Sequence, residues 1–303
     1  MSTLQVIIDA LALGSIYALS ALAIGLVFGI MRLINFAQGD FVTIGAYALI
    51  VPSSQMVAQK FIGAFPILLM VPTIIFVCVV AALATERVAF RPVRRAEPST
   101  LLITSFAVSF LIQNVILIIY GGQPKSVGLF PALSGTSVEL GSLRVPSNQF
   151  TTCVVAFTLI AGLSLFLRFT RIGVEMRAVA EDFLMARLLG VRSNAVIVAA
   201  FALSGGLAGA VALLLVSQTG VLDFRMGVFL GVYAFFATVL GGMGSLVGAA
   251  VGGYLLGALS VCLQSFLPDD LRPYRDAFLF AIVILILLVR PQGLFVRSGR
   301  ERV

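Results

Sequence analysis

Long apolar runs separated by short polar inserts fill this sequence almost from end to end. Leu4 to Ile30 reads as a first helix, with Asp9 near its start. After Arg32 comes a polar break, INFAQGDF (Ile34 to Phe41), then a second run to about Val57 and a third from Phe61 to Ala84. Further runs are Leu101 to Tyr120, Phe150 to Leu167, Ala195 to Val216, Gly227 to Leu240, Leu246 to Leu267 and Ala277 to Val289. Most approach the roughly 20 residues that an α-helix needs to cross a bilayer. A chain in hydrocarbon must satisfy its own backbone polar groups, so these runs predict helices. The fold class expected is all-α: a polytopic transmembrane helical bundle of about eight or nine spans in one domain, 1–303. Two runs are weak, 41–57 behind the polar break and the short 227–240. Either fits half of a discontinuous or re-entrant helix, which is why the count stays open between eight and nine.

Composition sharpens this picture. Of 303 residues, 60% are hydrophobic and 11% charged, and mean hydropathy is +1.12. A soluble domain of this size could not cover itself with so little polar surface. The net charge of +7 is not a nucleic-acid signal, because the basic residues cluster between spans. Placing the loops at 32, 86–99 and 168–192 and the tail from Arg290 on one side collects 14 of the 20 Lys and Arg there, against 6 on the other. By the positive-inside rule that side is cytoplasmic; with nine spans the N-terminus then lies outside, and with eight the side of the N-terminus stays open. The sequence has no His, which excludes His-based catalysis and His metal sites. Its three Cys (Cys78, Cys153, Cys262) lie in apolar runs without metal spacing and read as buried thiols. No catalytic residue, metal site or cofactor is expected. The first run lacks a basic n-region and cleavage site, so it is expected to be retained. Glycines spaced by four (Gly25/Gly29, Gly205/Gly209, Gly244/Gly248/Gly252, Gly253/Gly257) put small residues on one helix face, where helices in lipid pack closely.

Three stretches carry candidate function. In INFAQGDF, Asn35, Gln38, Gly39 and Asp40 interrupt two apolar runs. A carboxylate facing lipid at mid-bilayer costs about 2.5–3.5 kcal/mol on insertion scales, so such residues face protein or a cavity. The segment reads either as a substrate path or gate, or as a cytoplasmic hairpin with Asp40 capping the next helix. GGMGS supplies Gly242, Gly244 and Ser245, which either line a pore or form a tight turn at a helix end, the turn being preferred. The longest polar insert, Arg168 to Asn194, carries five Arg with Glu175, Glu181 and Asp182. Between Val174 and Leu189, apolar Val174, Ala178, Phe183, Leu184, Leu188 and Leu189 interleave with charges, which predicts a short amphipathic helix ending at Gly190. Such a helix either lies on membrane lipid or seats its face in a groove of a soluble partner. Its mixed charge, with acids beside Arg187, speaks against simple binding to anionic lipid.

Two look-alikes carry nothing. LSGGL (Leu203 to Leu207) imitates an ATPase signature but lies in an apolar run, and no GxxxxGK[ST] loop exists; GGQPKS (Gly121 to Ser126) has the wrong spacing. If the chain moves a solute, the energy comes from another subunit or from an ion gradient.

Four segments in order, GSIYALSALAIGLVFGIMRLINFAQGDFVTIGAY, AEDFLMARLLGV, LGGMGSLVGAAVGG and RPQGLF, resemble the inner-membrane permease of branched-chain amino acid ABC importers, LivH type. The resemblance spans nearly the whole chain. It implies a multi-pass protein of the bacterial inner (cytoplasmic) membrane, with a sister LivM-type permease, two cytoplasmic ATP-binding subunits and a periplasmic solute-binding protein as partners. It also implies that Glu181, Asp182, Arg187, Leu188, Leu189 and Gly190 belong to the coupling helix that docks on the ATPase. The chain departs from the pattern in three places. Gly190 follows Glu181 by nine residues rather than about six, Gln38 stands where His is usual, and Asp40 where Glu is. Relatives that carry urea or short amides keep that substrate class as an alternative. An ion-coupled secondary transporter is the alternative of another class, with Asp9, Asp40 and Asp276 as its candidate carboxylates.

Overall fold

The computed structural model describes residues 3–53, 55–94, 96–129, 137–140 and 143–295. Arg95, the tail from Val296 and parts of the predicted outer loop Gly121 to Asn148 lie outside the described residues. The protein is all-α, with short β ribbons only in loops. Six helices are long and apolar enough to cross a membrane. They are α1 (Thr3–Met31), α3 (Ile67–Thr85, prolonged through a π turn at Glu86–Phe90 to Val93), α4 (Pro98–Tyr120), α5 (Ser147–Phe169), α8 (Ser193–Thr219) and α10 (Leu246–Phe266). Shorter ones are α2 (Gln38–Tyr47), α6 (Arg171–Glu181), α7 (Phe183–Leu188), α9 (Met226–Gly241) and α11 (Arg275–Val289).

The loops sort to two ends. At one end β1 (Lys125–Ser126) pairs with β4 (Val221–Leu222), and Val57 bridges Ser126, so segments 48–66, 121–129 and 220–225 meet. The buried Lys125 ammonium ties them, donating to the Gln55 carbonyl at 3.0 Å and to that of Ser53. A second ribbon, β2 (Ser137–Leu140) with β3 (Leu143–Pro146), leads into α5. Near this end too lies Asp9, whose carboxylate accepts from Gln5 and from Gln149 at the start of α5. At the other end the backbone N–H groups of Leu294 and Phe295 donate to Leu240 and Gly241, and α6 and α7 lie in the connection between α5 and α8. This is the Arg-rich end, cytoplasmic by the positive-inside rule.

Tight glycine contacts set the packing of the central helices. A Cβ added at Gly253 or Gly257 of α10 would collide with the backbone of Ala18 or Gly14 in α1. Gly205 and Gly209 of α8 would strike α3 at Cys78–Val79 and Ile75, and Gly248 and Gly252 would strike α9. Close backbone approach of this kind replaces the hydrophobic drive that lipid cannot provide. Two predicted members behave differently. Gly29 and Gly244 have no neighbour within 4 Å. Gly244 instead takes φ +92, a left-handed value that a turn needs.

The predicted run 41–57 is helical only to Tyr47. Pro52 and the polar residues after it break the helix, and 48–66 folds across the outer end. The segment after α1 and α2 together make one discontinuous element, packed among the six long helices and the shorter α9 and α11.

Candidate functional site

The feature that organises the interior is the break after α1. Arg32 adopts φ 54, a left-handed backbone that reverses the chain at the end of α1. Residues 33–37 then run back into the bundle without regular structure, and α2 begins at Gln38. Its depth follows from its partners. Gln38 pairs with Ser204, the twelfth residue of the 27-residue α8, and Asp40 meets Ser109, the twelfth of the 23-residue α4. The N-terminal turn of α2 therefore sits mid-membrane, its positive dipole end facing the centre of the protein, with the Gln38 and Asp40 N–H groups donating to the Asn35 and Ala37 carbonyls.

Every predicted polar residue of this break is buried. Asn35 is 1% exposed, Gln38 3% and Asp40 0%. Asn35 Oδ1 accepts from the Ala37 N–H at 3.1 Å, a local turn that shapes the entry to α2. Its Nδ2 has no partner. The Gln38 amide closes a ring with Ser204, donating to its carbonyl at 3.1 Å and accepting from its hydroxyl at 2.5 Å. Asp40 Oδ2 accepts from the Ser109 hydroxyl, which itself accepts from Gln113 Nε2 at 2.9 Å, while Asp40 Oδ1 has no partner. The expected N-cap role of Asp40 is not what the fold uses: the cap position is Ala37, without a side-chain cap bond, and Asp40 lies in the first turn. Gly39 packs so closely on Gly227 of α9 that a Cβ there would overlap the Gly227 carbonyl.

Beside α2, Ser20, Gln38, Gly39, Val211 and Leu230 help to line a cavity of ≈ 10 Å³. That is room for about one water molecule, and an amino acid does not fit there.

Gly242, Gly244 and Ser245 are not brought to this cluster. They form the turn between α9 and α10, where Gly242 (φ +107) and Gly244 (φ +92) supply left-handed backbone. The Ser245 hydroxyl caps α10 by accepting from the Gly248 N–H at 3.1 Å.

The predicted amphipathic helix is two helices. The Asp182 side chain caps α7, accepting from the N–H groups of Leu184 and Met185 at 2.9 Å, and its own extended backbone (φ −147) ends α6. Gly190, at φ +88, closes the hairpin. Gly173, Met176 and Val179 of α6 and Ala186 of α7 face the protein. The opposite side carries Leu184, Leu188 and Leu189, exposed by 66%, 75% and 86%, beside exposed Glu181, Asp182 and Arg187. The apolar residues that a soluble hairpin would bury are thus turned outward.

Sequence reasoning missed a third feature, at the root of this hairpin. In the π turn that ends α3, the buried Glu86 carboxylate pairs with Arg94, which donates to Asn194 Oδ1 at 3.0 Å. The clasp joins α3 to the start of α8, directly after the exposed hairpin. Burial holds the Arg94 guanidinium below its ordinary pKa, yet an arginine stays charged at any physiological pH. A mid-helix π turn marks such sites often, but the letters ERVAF carry no signal for one.

The three carboxylates of the ion-coupled alternative do not converge. Asp9 is held at the outer end by glutamines, Asp276 pairs with Arg275, and Asp40 lies alone in the core. Among the described residues there is no cluster of three metal-ligating side chains.

Comparison with known proteins decides the family. Residues 6–287 match the family described as branched-chain amino acid transport system, permease component. The chain belongs to that family. It is 34% identical to the high-affinity branched-chain amino acid transport system permease protein BraD of Pseudomonas aeruginosa, over 99% of this chain and 98% of that one. The corresponding LivH protein of Escherichia coli is also 34% identical, over 99% and 97%. A probable LivH of Methanocaldococcus jannaschii is 25% identical over 94% and 90%. No solved structure matches the chain. The permease family and the helical architecture agree: this is a multi-pass membrane protein and a permease component of a transport system.

Proposed function

We propose that this permease is one of two membrane subunits of an ATP-driven importer in a bacterial inner membrane, and that it passes branched-chain or related amino acids into the cytoplasm. Its partners are a sister LivM-type permease, two cytoplasmic ATP-binding subunits and a periplasmic solute-binding protein, with lipid around the outward apolar faces of α4 and α5. The observation that carries this reading is the α6–α7 hairpin. It presents Leu184, Leu188 and Leu189 with Glu181, Asp182, Arg187 and Gly190 at the cytoplasmic end, an apolar and charged face that none of the described residues covers. Force from ATP-driven closure of the partner enters there and reaches the spans through the Glu86–Arg94–Asn194 clasp. The gate is assigned to Asn35, Gln38, Gly39 and Asp40, where the bundle is interrupted; Gly242, Gly244 and Ser245 shape the cytoplasmic turn beneath it. Two-state rocking of the spans then alternates access to this region. The chain's own affinity for solute is low in this scheme, because the binding protein supplies capture.

Uptake into proteoliposomes tests the reading. Transport requires the co-reconstituted partners, internal ATP and loaded binding protein. Uptake by this chain alone on a proton or sodium gradient refutes it. Preference of the assembled system for urea or a short amide over leucine keeps the architecture and replaces the substrate class.

A further inference from the structure

Asp40 is an anomaly that the proposed cycle leaves unused. It is a fully buried carboxyl, mid-membrane, with one oxygen held by Ser109 and the other without any partner. No Lys or Arg pairs with it among the described residues. An uncompensated carboxylate in such a place is costly, so the site carries a proton or meets a cation during its working cycle.

The surroundings narrow the cation. The described residues hold no group of three metal-ligating side chains, and a hard metal ion needs six or more oxygens. Along the same contact between α4 and the α2 region, Phe36, in the segment before α2, stacks on Phe106, three residues before Ser109, with ring centroids 4.3 Å apart. A lone carboxyl in an apolar core suits an ammonium group that carries a hydrocarbon body. The cover over it is also the least anchored long helix. α4 turns Ile103, Phe110, Leu111 and Ile118 outward and meets the bundle mainly at α2 and the π turn. The polar residues Ser105, Ser109 and Gln113 repeat every fourth position along the face that lies on α2. Breaking one polar contact and one ring stack uncovers the carboxyl.

We propose that Asp40 is the intramembrane acceptor for the α-ammonium group of the passing amino acid, exposed when α4 parts from α2 and covered again by Ser109 afterwards. This deepens the import reading and rests on it for the identity of the solute. Primary amines of aliphatic amino acids are the ligand class; amides and urea lack the charge and gain nothing from the site.

Two measurements on the complete complex test it. The first labels wild-type complex with a hydrophobic carbodiimide and reads Asp40 by peptide mass spectrometry. Excess leucine lowers the labelling, whereas 4-methylvalerate, the same body without the amine, does not. The second compares leucine uptake by Asp40→Asn and Asp40→Glu complexes that still assemble on a sizing column. Loss of one charged contact lowers uptake at least ~10-fold in Asp40→Asn. Asp40→Glu restores most of it. Equal protection by both ligands, protection by neither, or wild-type uptake in Asp40→Asn overturns the assignment. If Asp40→Asn fails to assemble, the protection experiment alone decides. Failure of ATP-dependent uptake in the wild type counts against the importer reading instead, since leucine protection is read without ATP.

Discussion

Two regions of this permease invert the usual rule of burial in opposite senses. Around α2 the chain buries a carboxyl, two amides and several hydroxyls in the middle of a membrane bundle. In the α6–α7 hairpin it leaves Leu184, Leu188 and Leu189 exposed. Each arrangement is unfavourable for an isolated subunit. The first is tolerated because Ser204, Ser109 and Gln113 meet most of the polar atoms, leaving Ser20 Oγ, Asn35 Nδ2 and Asp40 Oδ1 over. The second has no remedy among the described residues. In the proposed scheme the core's oddity serves passage through the subunit, and the hairpin's serves its drive.

The comparison breaks first at Gly39. Its Cβ has no space against Gly227, so Gly39→Leu forces α2 off α9, and we expect loss of folded permease, a cost of roughly 4 kcal/mol or more. Yield of monodisperse protein in detergent measures this; normal yield denies that α2 is locked in the core. Next comes the clasp between the regions. Glu86→Gln leaves the half-buried Arg94 without its anion, a loss of about 1–3 kcal/mol. The expected readout is a lower melting temperature together with weaker ATPase stimulation, and an unchanged melting curve removes the clasp from the scheme. The hairpin face gives a smaller effect on stability and a clear one on function. Leu188→Asp with Leu189→Asp inserts and melts like the wild type but lowers uptake by about 10-fold or more through loss of the docking face. Co-purification of the ATP-binding subunits checks it, and undiminished capture returns the hairpin to a surface linker. The smallest expected change is Asp182→Ala, which removes the α7 cap and costs about 1 kcal/mol of local order. Faster amide exchange at Leu184 and Met185, with the rest of the chain unaffected, is the outcome that agrees.

Legibility in the sequence followed the physics of each signal. Long helices were readable because 20 apolar residues in a row have one stable form in lipid, and the predicted boundaries at Leu101, Val216 and Leu246 fall close to the observed Pro98, Thr219 and Leu246. The INFAQGDF break was visible as polar letters between apolar ones, but its depth was not, because a turn outside the membrane and a discontinuous helix inside it spell alike. The hairpin read as one helix, since the apolar and charged positions run on at helical spacing across Asp182, and a single cap-prone residue does not break that pattern. Only the local backbone decided for two. The clasp stayed hidden because Arg94 and Asn194 are a hundred positions apart.

The chain's hydrophobic pattern by itself determined that this is a helical membrane protein, which end holds the positive charge, and where the longest polar insert lies. These are local or additive properties, settled by transfer free energies residue by residue. Tertiary structure alone decided that α2 starts in the middle of the bundle, that Asp40 meets Ser109, and that the apolar side of the hairpin points away from its own core. Those outcomes depend on which backbones approach closely enough at Gly39, Gly205 and Gly253, and such pairings between distant segments leave no trace in a linear pattern.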